Sequence, residues 1–279
     1  MIGVTPRDAG YPAGLLALEH PPDPLWIDGD ASALAPRTVA IVGTRRMTAY
    51  GERVARELAG ACAGAGVAVV SGFAQGIDSA AHRGALDAGG RTVAVLGEGI
   101  ALFLATVRGR RRTLVPRVRA SGALVSQYAP NFCAQPWTFA KRNATIAALA
   151  EAVVVIEAGQ VSGALITAQD ARRLGRPLFA VPGPIGSAAS IGTNALIACG
   201  EARALVSVAA LLDALGVATR TATGVRDDPV LEALASGALD FDSLARRAGR
   251  GRAETETALA TRLLDGSVVM TRDGMYRRA

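Results

Sequence analysis

Six short apolar runs, spaced by helical stretches and closed by glycine- or proline-bearing loops, constrain this chain more than any other feature of its sequence. Residues 38–43 (TVAIVG), 67–72 (VAVVSG), 92–97 (TVAVLG), 123–128, 153–158 (VVVIEA) and 178–181 are apolar without alternation. That pattern suits strands covered on both faces. Helices are expected over 49–65 (ended by Gly66), 77–88 (stopped by Gly89-Gly90), 143–150, 164–174 (closed by Gly175) and 193–198. The β-α-β-α rhythm predicts an α/β fold with a doubly wound parallel sheet. Residues 98–121 give no clear pattern, and residues 1–36 are rich in turn signals such as Pro21-Pro22-Asp23-Pro24.

Ligands of such sheets bind beyond the carboxyl ends of the strands, so the loops there carry the chemistry. A dinucleotide site would show GxGxxG after the first strand and an acid ending the second. The chain has Gly43-Thr44-Arg45-Arg46 and Ser71-Gly72 instead, which disfavours NAD. Of 30 basic residues, 29 are arginine, and the single lysine, Lys141, follows Ala140. A P-loop needs Gly-Lys-Ser/Thr and is excluded; a Schiff-base lysine is possible only at Lys141. Cys62, Cys133 and Cys199 form no CxxC, and His20 and His82 are the only histidines. No metal site, cofactor or Ser-His-Asp constellation is therefore expected. His82 reads as a structural hydrogen-bonding residue, and Glu157 as a lone strand-end acid.

The loops are instead furnished for anions. Gly43 allows close backbone approach, and Arg45 offers a planar fork suited to phosphate. Ser71-Gly72-Phe73-Ala74-Gln75-Gly76-Ile77-Asp78 leads from a strand into a helix N-terminus, either an anion cradle or simply a tight turn, with Asp78 as a candidate cap. Ser162-Gly163, leading to Thr167, repeats the arrangement. Residues 128–143 gather Tyr128, Phe132, Trp137 and Phe139, ending in Lys141-Arg142-Asn143. Aromatics beside cations suit single-stranded nucleic acid; a small core under a long loop is the alternative, with Phe139 assigned to core and Trp137 to the surface. Lys141 and Arg142 cannot both be buried unpaired.

Charge separates two regions. The first 226 residues carry +7, and residues 227–279 carry −1. Residues 108–119 hold six arginines and no acid, a phosphate-binding run or a solvated face. Residues 1–36 are expected to form an N-terminal extension packing on the core, 37–217 the sheet domain, and 218–228 a linker. Residues 229–279 would then be a winged-helix-like domain, with helices 229–235, 241–248 and 253–264 and a hairpin of 267–272 with 275–278. With Glu254 and Glu256 at the start of 253–264, this tail is unsuited to reading duplex DNA.

The runs VAIVGTRRMTAYG (39–51), SGFAQGIDSAAHRGAL (71–86), FAKRNATIAAL (139–149), VVVIEAGQVSGALITAQDARRLGR (153–176), FAVPGPI (179–185) and SIGTNALI (190–197) resemble the DprA/Smf family of DNA-processing proteins. The resemblance covers residues 11 to about 215. It implies an extended Rossmann-like core that dimerises, binds single-stranded DNA, protects it and hands it to the RecA recombinase, without catalysis. It places Arg45 (with Thr44), Gly72, Gly76, Asp78, Arg142 and Asn143 on family motifs; with the loop residues read above, the expected DNA- or phosphate-binding set is Gly43, Thr44, Arg45, Arg46, Ser71, Gly72, Phe73, Gln75, Gly76, Asp78, Trp137, Lys141, Arg142, Asn143, Ser162, Gly163 and Thr167. Thr44 stands where the family has Ser, and Gly97-Glu98-Gly99-Ile100 departs from the family's Gly-x-Gly-Asp stretch. The expected location is cytoplasmic, with no membrane association and no counterpart of the N-terminal helical domain of some relatives. The apolar 206–216 helix and the neighbouring sheet edge are candidate recombinase surfaces. The competing expectation is a LOG-like nucleoside-monophosphate phosphoribohydrolase, but Ala158 to Ile166 lacks that group's catalytic Glu.

Overall fold

The computed structural model describes residues 1–35, 37–217, 228–264, 267–271 and 273–278. The chain divides into two compact units, 1–218 and 219–279. In chain order the first unit contains β1 (Ile2–Val4), β2 (Leu25–Gly29), β3 (Thr38–Val42), α1 (Ala49–Gly64), β4 (Ala68–Ser71), α2 (Ile77–Asp87) and β5 (Thr92–Leu96). There follow α3 (Ile100–Thr106), α4 (Gly109–Ser121), β6 (Gly122–Ser126), α5 (Pro136–Leu149), β7 (Ala152–Val155) and α6 (Gly163–Arg173). The unit closes with β8 (Leu178–Ala180), α7 (Ile191–Ala198), β9 (Arg203–Ala204) and α8 (Val208–Ala214).

One sheet runs in the order β1-β2-β6-β5-β4-β3-β7-β8-β9, with β3 to β9 mutually parallel. The chain builds outward from β3 through β4 and β5 to β6. It then returns along α5 to lay β7 on the other side of β3, with Ala40 opposite Val153. The strand order therefore reverses between β3 and β7, where a doubly wound sheet opens its crevice.

The unbroken apolar strands are explained by helices on both faces. Ala40, Val42, Val95 and Val155 meet Ile146 of α5 and Ala168 of α6 on one face. Val39, Ile41, Val69 and Val154 meet Leu58 of α1, Ala81 of α2 and Leu211 of α8 on the other. Leu211, Leu212 and Leu215 of the 206–216 stretch are thus spent on the core, and of its larger apolar side chains Val206 is the exposed one.

Residues 1–35 do more than pack on the core. β2 pairs antiparallel with β6 (Ile27 opposite Val125), and β1 with β2 (Gly3 opposite Trp26), extending the sheet. These strands are three and five residues long among prolines, too short for a periodic signal. Residues 98–121 form α3 and α4, where six arginines and Pro116 obscure a helix that turns Leu114, Val115 and Val118 inward.

His82 of α2 is fully buried, with Nδ1 2.7 Å from Thr92 Oγ1. The Thr92 hydroxyl already donates to Val69 O (2.8 Å), so Nδ1 carries the proton. Burial pushes this imidazole down to about 3. In the unfolded chain it titrates near about 6.5. Below that pH the unfolded state binds the extra proton, so stability falls on acidification toward about pH 3, by up to about 1.4 kcal/mol per unit. His82→Gln is expected to flatten the dependence of Tm on pH below about 6.5, measured by thermal unfolding.

The second unit has its own core of Val230, Leu231, Leu244, Leu259 and Val268. Its elements are α9 (Pro229–Ala233), α10 (Phe241–Ala248), α11 (Arg252–Leu264) and the antiparallel hairpin β10 (Val268–Met270) with β11 (Tyr276–Arg278). This is the order expected of a winged helix. Asp228, assigned to the linker by sequence, caps α9 by accepting from Val230 N at 2.9 Å. The rest of the expected linker, 218–227, and Asp265-Gly266 of the expected hairpin boundary lie outside the described residues.

Candidate functional site

A cavity of about 450 Å³ opens at the switch point, within the usual range of about 300–1,000 Å³ for ligand sites. Its walls come from the end of β3 (Gly43, Thr44, Arg45, Arg46), from Ala74 and Asp78, from α5 (Phe139, Arg142, Asn143), and from the start of α6 (Ser162, Gly163, Thr167). Loops 100 residues apart in sequence thus converge as the sequence motifs imply.

The β3 loop is fixed by backbone contacts. Thr44 N–H donates to Glu157 O (2.8 Å), and Ile77 N–H donates to Thr44 O (3.2 Å). The α2 N-terminus therefore gives its first amide to the loop, not to a ligand. Glu157 is not the unpartnered acid its sequence suggests: it is buried and accepts from Thr48 N (2.9 Å) and Thr48 Oγ1, anchoring the start of α1. Ser162 caps α6, with its hydroxyl near Ala164 N (3.4 Å), and Asn143 Nδ2 donates to Gly163 O (3.1 Å). The α6 N-terminus faces the cavity, with its positive dipole on the same wall set as Arg45 and Arg46.

Asp78 and Arg142 form the buried floor. Arg142 is 5% exposed and donates through Nη1 to Gly72 O (2.6 Å) and to Val95 O. Asp78 Oδ2 accepts from Ala74 N (3.2 Å) and so holds the loop preceding α2 rather than capping the helix. Burial raises the Asp78 carboxyl above its usual range, while Arg142 pulls it back; burial likewise works against the Arg142 charge. Gly72 lies between the two: a Cβ there would stand 2.7 Å from Asp78 Oδ2 and 2.9 Å from Arg142 Nη1.

Several residues sit elsewhere than their motifs imply. The helix expected from 143 begins at Pro136, so Trp137, Lys141, Arg142 and Asn143 are helical. Pro136 suits a first helical turn, and Gln135 N–H donates to Thr138 Oγ1 (3.2 Å). Lys141 is exposed while Arg142 is buried and bonded. Trp137 is 55% exposed and packs edge-on against Tyr128 and Phe132; neither Trp137 nor Lys141 lines the cavity. Ser71 is buried with its hydroxyl donated to Ile41 O (2.6 Å), a scaffold role. Phe73 is buried in a positive-φ conformation (58°), and Gly76 packs under the β3 loop. Phe139, assigned to core by sequence, is a half-buried cavity wall, its ring centroid 5.8 Å from Arg45 Cζ and 6.0 Å from Arg142 Cζ. The positions 139, 142, 143 and 146 recur at helical spacing, the signal that would have found it.

Two arginines, the α6 N-terminus and an aromatic face thus line one crevice at the switch point of an α/β sheet. The chain belongs to the DNA recombination-mediator protein A family, whose family model matches residues 3–216. It is 48% identical over 180 residues to a putative DNA processing protein DprA of Mycobacterium tuberculosis, covering 64% of this chain and 46% of that protein. It is 40% identical over 189 residues to protein Smf of Escherichia coli, covering 67% and 50%. The chain thus spans about half the length of these curated relatives. Among solved structures it is similar to DNA processing protein A of Streptococcus pneumoniae (TM-score 0.70, 32% identity, 76% of this chain and 73% of that one). It is also similar to DNA processing protein A of Helicobacter pylori, described for its single-stranded DNA binding mode (TM-score 0.67, 29% identity, 74% and 92%). Among the described residues no helix is long and apolar enough to cross a membrane.

Proposed function

We propose that this chain binds single-stranded DNA at the switch-point crevice, protects it, and passes it to the RecA recombinase during natural transformation. It does so as a cytoplasmic homodimer without catalysis of its own. The observation that carries the reading is the cavity where Arg45, Arg46 and the α6 N-terminus converge beside Phe139. Arginine forks grip phosphate, and an aromatic face takes a base of any sequence. The Helicobacter pylori relative's single-stranded DNA binding supports the choice of ligand. Lys141, exposed one turn beyond Trp137 on α5, would extend the contact outside the cavity.

The test is an anisotropy titration of a labelled oligothymidine against a duplex of the same length, at two salt concentrations. Arg45→Ala is expected to weaken single-strand binding about tenfold, about 1.4 kcal/mol. Lys141→Ala is expected to weaken it less and to lower the salt slope by about 0.7. Unchanged affinity in Arg45→Ala would remove the site from this cavity. Adenine released on incubation with AMP would overturn the non-catalytic assignment.

A further inference from the structure

We infer that a second cavity beside the first, closed by Arg111 of α4, is a further nucleotide subsite that takes the neighbouring phosphate of the same single strand. The inference rests on the single-strand reading above. This cavity measures about 290 Å³ and shares Arg45, Phe139 and Arg142 with the first; its own walls include Gln75, Glu98 and Arg111. Phe139 thus forms a partition between two adjacent chambers, with an arginine over its ring. Gly97 makes room for it, since a Cβ there would stand 2.6 Å from Phe139 Cδ1. A base stacked on such a ring belongs to a nucleotide with a phosphate on its 5′ and on its 3′ side, one for each chamber.

The charge of α4 points the same way. Toward its far end, Arg117 is paired with Asp87 (2.8 Å) and Arg119 with Asp28 (2.9 Å). Arg110, Arg111 and Arg112 occupy the first turn, and among the described residues no ion pair involves them. That turn contains no acid, so three cations stand at the positive end of the helix dipole. This placement is unfavourable to the free helix, and a phosphate would relieve it. Glu98 is the acid nearest in effect: burial raises its carboxyl and Arg111 pulls it down. A phosphate entering the chamber competes with Glu98 for Arg111.

The experiment compares wild type, R45A, the triple variant R110Q/R111Q/R112Q, and E98Q in anisotropy titrations with labelled oligothymidine at several salt concentrations. Loss of the contact to this one phosphate is expected to reduce the slope of log affinity against log salt by about 0.7. The triple variant is also expected to weaken binding about tenfold at low salt, and E98Q to tighten it about twofold to threefold. A triple variant with wild-type affinity and slope, while R45A is impaired, overturns the second subsite and leaves the first standing. A wild-type protein that binds no single strand sinks the functional reading itself. If the triple variant melts early, E98Q decides: tightening supports the subsite, and unchanged or weaker binding overturns it.

Discussion

Replacing Arg142 with methionine is expected to lower the stability of the large unit by about 3–5 kcal/mol, because it removes a buried cation that satisfies two buried carbonyls and offsets the charge of Asp78. The side chain is 5% exposed and satisfies the carbonyls of Gly72 and Val95. Its loss leaves Asp78 buried with no cation beside it. The carboxyl is already raised by burial, and without Arg142 it rises further. The folded variant therefore takes up a proton more readily than the unfolded chain, so acidification toward the ordinary carboxylate range should narrow the gap to wild type. Adding Asp78→Asn to the variant should recover part of the loss at neutral pH. Urea unfolding of the two single variants and the double variant measures both effects. A methionine variant as stable as wild type would show that Arg142 is not the buried keystone of the floor.

Gly76→Ala carries the second large effect, and it joins stability to binding. Gly76 adopts φ 88°, ψ −133°, a conformation essentially confined to glycine. An alanine Cβ would also collide with Thr44 O and stand 2.8 Å from Arg45 Cα. Backbone strain alone is worth about 1–3 kcal/mol, and the collision pushes the Arg45 loop away from the crevice. We expect a loss of more than about 2 kcal/mol in stability and more than about tenfold in single-strand affinity. Gly89→Ala is the control. Gly89 also has positive φ (71°), but open space surrounds its missing Cβ. It should cost about 1 kcal/mol and leave binding unchanged. Equal effects from the two variants would refute the role of Gly76 as support for the Arg45 loop.

The parallel core of the sheet was legible because each strand is an unbroken apolar run and most of the helices end at glycine. β1 and β2 were not, being short and set among prolines. The early start of α5 was concealed by reading Trp137 and Phe139 as loop aromatics, although Pro136 is a common first-turn residue. The loops of the site could be listed from their Gly, Ser and Arg content, but the division of labour within them could not. Lys141 and Arg142 are adjacent in sequence, and one helical step of about 100° separates a solvated cation from a buried one. Which of the two faces inward depends on Asp78 and on Gly72, the latter 70 residues away. Phe139 reads as core in the sequence; its place between Arg45 and Arg142 exists only once β3 and α5 have met.

The pairing of β3 with β7 has a consequence for how the chain comes together. Val39 cannot find Ala152 until more than a hundred intervening residues are available. Until then, the half-sheet built from β3 to β6 presents β3 as an open, largely apolar border. Such borders recruit other strands, and contacts this distant in sequence form slowly. During synthesis the growing chain therefore carries an adhesive edge until β7 closes it, and the crevice comes into being in that same closing step.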